Sequence, residues 1–281
     1  MTGLQYGSVI AEALALIKSS RPSVPHKTAL DIRRNNHVLY EKTFPKAPSS
    51  DIVEQTDYTV QSYDGVQALL RRYAKPEVLN AKEPQPAILT VHGGGFVSGF
   101  VDICGGLNAA LALEVGRPVF AIDYRLAPEH PHPAAVEDTF AALKYLLEHA
   151  TELNIDPKRI CLHGESAGGG IATGTALLAR DRELSPPVAK LVLVYPELDD
   201  RTRYSPDAEF VKFATWTPKH NKLAWKAYVG EDKAGKPEAD VSPYAAPARA
   251  ESYKGLPSTY VDVGASVVFR YEDLEFARRL W

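Results

Sequence analysis

Hydrophobic and polar positions change period along the chain, and those changes predict its elements. Residues 1 to about 45 follow a helical period, with one apolar stretch from Val9 to Ile17 interrupted by Glu12. Pro45 to Ser50 reads as a linker. From Val53 to Val60 the residues alternate as in a half-buried antiparallel strand, Ser62 to Gly65 carry a turn signal, and Val66 to Tyr73 form a second strand. Ala87 to Val91 is apolar but for Thr90 and runs towards glycines, as expected of a parallel strand buried on both faces. Val119 to Ile122, Ile160 to Leu162, Leu191 to Tyr195 and Thr259 to Val263 repeat that pattern. Between them, Leu107 to Val115 is helical, and Ala134 to Leu147 is strongly amphipathic. Ala167 to Ala179 is small and apolar nearly all round, as a helix packed deep on a sheet must be. Strands alternating with helices predict an α/β fold, a mostly parallel central sheet flanked by helices on both faces. Asp200 to Asp240 breaks the rhythm. It is rich in aromatic and charged residues (Phe210, Phe213, Trp216, Trp225, Tyr228) and reads as an inserted helical cap, the alternative being an ordinary connecting helix pair.

Composition narrows the picture. A chain of 281 residues, 45% hydrophobic, suits one large domain with an appended cap and buries a core that needs no disulfide or metal. A net charge of −3 gives no electrostatic reason for a nucleic-acid or anionic-membrane partner. The two cysteines, Cys104 and Cys161, lie in apolar stretches and form no Cys-x-x-Cys pair, so buried free thiols are expected. Met1 to Ser20 lacks a basic leader and a small-residue cleavage site, which favours an amphipathic helix over a signal peptide. No apolar run approaches the ~20 residues of a membrane span, and a soluble, cytoplasmic protein is the default expectation.

Chemistry is written in three places. Gly164-Glu165-Ser166-Ala167-Gly168 fits Gly-x-Ser-x-Gly between an apolar strand and an apolar helix. Ser166 on so sharp a strand-to-helix turn requires small neighbours at Gly164 and Gly168, and it presents a hydroxyl beside a helix N-terminus that favours developing negative charge. The plainer reading is a structural glycine-rich turn. His92-Gly93-Gly94-Gly95 ends an earlier strand, and its glycines let the backbone approach a carbonyl with amides aimed inward. Gly94 and Gly95, joined by the amide of Ala167, are the expected oxyanion donors, with Gly93 as the turn-former and His92 as a brace for the loop. A phosphate-binding loop is the rival, but no Gly-x-x-x-x-Gly-Lys-Ser/Thr is present. Asp123-Tyr124-Arg125-Leu126-Ala127-Pro128-Glu129, alone, is a polar exit from a strand.

Together these segments resemble the hormone-sensitive-lipase-like carboxylesterases of the α/β-hydrolase superfamily, from about Asp51 to the C-terminus, with Pro133 to Asp138 continuing the likeness. The resemblance implies an α/β-hydrolase domain over 46–281 and a cap from N-terminal helices over 1–45 plus an insert at about 200–240. It further implies an eight-stranded sheet, hydrolysis of short or medium acyl esters, and no metal or cofactor. The partner it implies is a small-molecule ester.

Two parts of the pattern are not met. The resemblance places the triad acid at Val267, in Val263-Gly264-Ala265-Ser266-Val267, where no carboxylate stands. Asp262, Glu272 and Asp273 lie nearby but out of register. The histidine would follow one further strand, whereas every histidine here lies at His220 or earlier. His220 is the one stand-in worth entertaining; His130, His132 and His149 read as loop or surface residues, and His163 as a packed neighbour of the nucleophile. Three accounts stand: a truncated or damaged esterase, a silent binding protein resembling gibberellin receptors, or an unconventional constellation. A missing last strand would leave the strand near Tyr260 as a free sheet edge, from which self-association is expected.

Overall fold

The computed structural model describes residues 26–202, 204, 211 and 214–281, together with 7, 11, 12, 15 and 19. Phe210, Phe213 and most of the expected first helix lie outside the described residues.

Seven strands form one mixed sheet: β1 (Glu54–Gln61), β2 (Gln67–Ala74), β3 (Gln85–Val91), β4 (Val119–Ile122), β5 (Ile155–Glu165), β6 (Lys190–Val194) and β7 (Ser258–Asp262), in the order β1-β2-β4-β3-β5-β6-β7. The hairpin β1–β2 is antiparallel, with Glu54 opposite Ala74 and Gln61 opposite Gln67, and β2 lies antiparallel to β4. From β4 through β3, β5 and β6 to β7 every pairing is parallel. The α/β class and the element order therefore stand as expected. The resemblance implied eight strands; seven are found among the described residues, with β7 at the edge.

Alternation along the central strands explains the layering. Phe120 and Ile122 of β4 enter the larger core, while Val119 and Ala121 of the same strand enter a smaller one. The smaller core is closed by α3 (Gly105–Val115) through Ala109 and Ala112. The larger is closed by α4 (Ala134–Glu148), α5 (Ala167–Asp181) and Phe276 of α7 (Arg270–Leu280). Residues of α5 are buried from Ala167 to Ala179, which is why its composition is small and apolar on every side.

Two further helices lie above the carboxyl ends of the strands. Helix α1 (Ala29–Thr43) starts with a Thr28–Asp31 capping box, and α6 (Pro218–Val229) with a Thr217–His220 box. A single short turn of helix, α2 (Pro76–Leu79), follows β2. The stretch expected to be a helical cap is helical over α6, whereas Gly230 to Asp240 forms turns. Trp225 and Tyr228 do not serve an outer surface. Both are buried, with the Tyr228 ring stacked on Phe96 at 4.1 Å and Trp225 tilted against it at 4.9 Å. Both cysteines are free thiols: Cys104 is buried, and Cys161 is half-buried on β5. No helix among the described residues is long and apolar enough to cross a membrane.

Candidate active site

Parallel pairing of β3 with β5 sets Val91 opposite Gly164, so the loops that follow both strands emerge side by side. This is where open α/β sheets bind ligands. Ser166 follows directly on β5 and heads α5 with φ 54° and ψ −125°, a conformation that costs a non-glycine residue ~1–3 kcal/mol. The turn is over-determined by its backbone. The Ser166 amide donates to the Val194 carbonyl at 2.9 Å, and its carbonyl accepts from Gly169, Gly170 and Glu197. A Cβ on Gly164 would fall on the Gly168 carbonyl, which is the close approach the motif demands. Ser166 is half-buried, and its hydroxyl bonds to no described residue.

The glycine loop closes onto this elbow at Gly93, where an added Cβ would meet the Glu165 carbonyl at 3.1 Å and Ser166 Cβ at 3.3 Å. The turn itself belongs to Gly94 (φ 123°) and Gly95 (φ 61°). Gly93 is thus a close-approach residue and not the turn-former expected from the sequence. Carbonyl anchoring then sets the amides. His92 Nδ1 donates to the Gly93 carbonyl at 2.8 Å, and Gly94 O accepts from the Val97 and Ser98 amides and from Ser98 Oγ at 2.8 Å. In a planar trans peptide the N–H points opposite the C=O. Pinning the carbonyls of Gly93 and Gly94 therefore directs the amides of Gly94 and Gly95 the other way. Neither those amides nor that of Ala167 finds an acceptor among the described residues.

The strand-exit segment after β4 braces this loop. Tyr124 donates to the His92 carbonyl at 2.9 Å and stacks on its ring at 4.2 Å, and the Ala127 amide holds Phe96 O at 3.0 Å. Arg125 binds Asp64 and the buried Asp138. Burial pushes the His92 imidazole down to about 4, so it is a neutral donor at Nδ1. His92 thus ties its own imidazole to the backbone of the glycine loop.

Ser166, Gly94 and Gly95 line a cavity of about 520 Å³ walled by Leu39, Trp216 and Phe269. Sequence reasoning did not single out Trp216 against the glycine loop, yet a Cβ on Gly95 would land on its indole. Glu165 borders the same space; burial raises its carboxyl, while the Tyr195 hydroxyl (3.4 Å) and the Gly93 amide favour its charged form. Val267 also lines the cavity. His220 reaches the wall too, but its Nδ1 accepts from the Thr217 amide and its Nε2 meets His26 Nδ1. His163 bonds Thr90 on the neighbouring strand at 2.8 Å. His132 lies in a loop, yet it is covered by the Tyr228 ring, and burial lowers it to about 4. Glu272 and Asp273 are buried on α7, where Glu272 accepts from the Leu198 and Asp199 amides.

Residues 88–281 match the family described as alpha/beta hydrolase fold. Esterase LipI of Mycobacterium tuberculosis is 37% identical over 196 residues, covering 69% of this chain and 59% of that protein. The chain spans about half the length of the curated relatives it matches. Among solved structures, a bacterial heroin esterase aligns with a TM-score of 0.83 and 37% identity, covering 95% of this chain and 84% of the other. A hyperthermophilic esterase from the archaeon Pyrobaculum calidifontis aligns at 0.79 with 28% identity, over 98% and 85%. Strand order, elbow, glycine loop and these likenesses agree: the chain belongs to the α/β-hydrolase fold family and carries the scaffold of its hormone-sensitive-lipase-like carboxylesterases.

Proposed function

We propose that this chain hydrolyses carboxylic esters with short or medium acyl groups through an acyl-enzyme on Ser166. One observation supports this above the rest: a half-buried serine hydroxyl on a strained elbow shares a cavity with the peptide groups of Gly94 and Gly95, whose amides lack described acceptors. In this reading Ser166 Oγ attacks the carbonyl carbon, and the amides of Gly94, Gly95 and Ala167 take up the oxyanion. The alcohol leaves with the proton given up by the Ser166 hydroxyl. Water then adds to the acyl carbon, the bond to Ser166 breaks, one of the water's protons returns to Ser166 Oγ, and the acid is released. His92, Gly93, Gly164, Glu165 and Gly168 support the geometry, and no cofactor enters. Helix α1, with α6 and its flanking stretch at about 200–240, acts as the cap over the domain that spans 46–281, since both helices reach the cavity wall.

The triad is impaired in this reading. The resemblance puts Val267 at the acid's place, Val267 lines the cavity, and no described side chain bonds Ser166 Oγ. A serine hydroxyl without a paired base is a weak nucleophile. Turnover from the described groups alone is expected at the level that binding and an oxyanion hole supply, roughly 10³–10⁴-fold over water. Val267 equally favours a second reading, retention of a small acid or ester without turnover. The deciding experiment is hydrolysis of p-nitrophenyl acetate, joined to mass-spectrometric mapping of a phosphonate adduct. Turnover with the adduct on Ser166 supports the enzyme; silence, an unmodified Ser166 and tight retention of a carboxylic acid would establish the second reading.

The partner is a small-molecule ester, and a second copy is proposed at the sheet edge. Tyr260 on β7 is 57% exposed, and a groove of about 910 Å³ runs between β7 and α7. Concentration-dependent dimerisation in sedimentation is expected, weakened by Val261→Pro. A monodisperse monomer at high concentration would remove this proposal.

A further inference from the structure

Beyond the active-site wall it contributes, helix α1 makes a set of polar contacts that cap packing does not require. Arg33, Asn36 and His37 stand at i, i+3 and i+4, so they share one face of the helix. They reach three consecutive residues of the glycine loop. Arg33 Nε donates to the Val97 carbonyl at 2.6 Å, Asn36 Nδ2 donates to Ser98 Oγ at 2.9 Å, and the Gly99 amide donates to His37 Nε2 at 3.3 Å. The Arg33 fork is anchored on its far side by the Ala127 carbonyl at 2.7 Å and by both oxygens of Glu129. Planar, bidentate anchoring of this kind fixes a guanidinium in place more firmly than an ammonium would be held. Val97 and Ser98 are fully buried, so their polar groups depend on these partners.

We infer that α1 is a positioning clamp for the oxyanion loop, acting through an Asn36–Ser98–Gly94 relay. This rests on the assignment of Gly94 and Gly95 as oxyanion donors under the proposed function. The direction of the relay matters. Because Asn36 donates to Ser98 Oγ, the Ser98 hydroxyl keeps its own proton for the Gly94 carbonyl. That carbonyl belongs to the same peptide plane as the Gly95 amide, so each bond that holds it also aims the amide. Gly94 cannot relax away, since its Cβ direction is filled by Ser98 backbone. A helix more than sixty residues upstream of the loop residues it binds thereby reaches the reacting centre through the loop backbone, besides lining the cavity. Arg33, Asn36 and His37 are positioning residues, not catalytic ones.

Asn36→Asp tests this at nearly constant volume. A carboxylate accepts where the amide donated, so it draws the Ser98 hydroxyl proton to itself and strips one bond from Gly94 O. The expected result is at least a tenfold fall in kcat on p-nitrophenyl acetate, with KM changed less than twofold and the melting temperature nearly unchanged. Ser98→Ala removes the same relay, so the double variant should be no slower than the slower single variant. Hydrogen exchange supplies a readout that needs no activity: the Val97 and Ser98 amides, both bonded to Gly94 O, should exchange faster in Asn36→Asp. Unchanged exchange overturns the clamp, whether or not the protein turns over esters. Faster exchange with kcat intact would show that α1 stabilises the loop without positioning it, which also overturns the inference. Absence of turnover in the unsubstituted protein would strike the esterase reading, and exchange alone would then decide the clamp.

Discussion

Gly94→Ala is expected to slow phosphonate capture of Ser166, and ester turnover with it, by about two to three orders of magnitude, the loss typical of one oxyanion donor. The reason lies in the backbone. Gly94 sits at φ 123°, where a side chain is strained, and its added Cβ would coincide with the Ser98 carbonyl oxygen. A main-chain oxygen within a buried turn cannot swing aside as a flexible side chain does. The Gly94 peptide must rotate instead, and the Gly95 amide rotates with it. Ser166 and its elbow remain intact, so the variant separates a misdirected hole from a missing nucleophile. Ser166→Ala supplies the other limit, with covalent capture gone altogether. The inactivation rate constant, with the adduct mass as a check, measures both. Capture at the unsubstituted rate in Gly94→Ala would remove the glycine loop from the mechanism.

The second large effect is on stability at alkaline pH. Glu197 is fully buried beneath the elbow, its amide bound to the Ser166 carbonyl and neither carboxyl oxygen partnered among the described residues. Burial raises it well above the ordinary carboxylate range, and the neighbouring Glu272 adds to that. Burial likewise pushes Glu272 up to about 8 and Asp273 up to about 10. In the unfolded chain these groups lose their protons near pH 4, whereas in the fold they keep them. Their contribution is therefore intact below the unfolded values and is lost as pH rises towards the folded ones, by up to ~1.4 kcal/mol per pH unit for each group. Below about pH 6.5 the buried neutral His92 and His132, both lowered to about 4, act in the opposite sense. The histidine effect is absent from pH 7 to 9, where stability should fall steadily, with the buried Cys104 and Cys161 thiols, raised by burial to about 12 and about 11, adding in the same sense towards pH 9. Glu197→Gln keeps the shape of the neutral acid and cannot ionise, so its denaturation midpoint should decline less steeply than that of the unsubstituted protein. Parallel declines would show that Glu197 does not titrate with folding.

Local periodicity carried most of the fold. Alternation at Val53 to Val60, the apolar run Ala87 to Val91 broken only by Thr90, the wholly apolar Val119 to Ile122, and the small-residue helix after Ser166 all report burial that each residue experiences through its own neighbours. The elbow was equally legible, because its glycines answer a steric demand within five residues. The glycine loop was legible only in part. Which glycine turns and which merely fits depends on Glu165 and Ser166, more than seventy residues away in the chain. Trp216 against Gly95, and His132 beneath Tyr228, leave no trace in any window of sequence.

The chain's order of apolar runs and glycine-bounded turns determined an α/β sheet with a serine-bearing elbow at the carboxyl end of its fifth strand, since both follow from short-range sterics and solvent exclusion. What only the tertiary structure decided is direction: where the amides of Gly94 and Gly95 point, and which residues hold them there. Arg33, Asn36 and His37 look like an ordinary polar helix face in sequence, and only the packing of α1 over the loop turns that face into a set of bonds on Val97, Ser98 and Gly99. Hydrogen-bond geometry between elements distant in the chain is set by packing as a whole, so no local pattern encodes it.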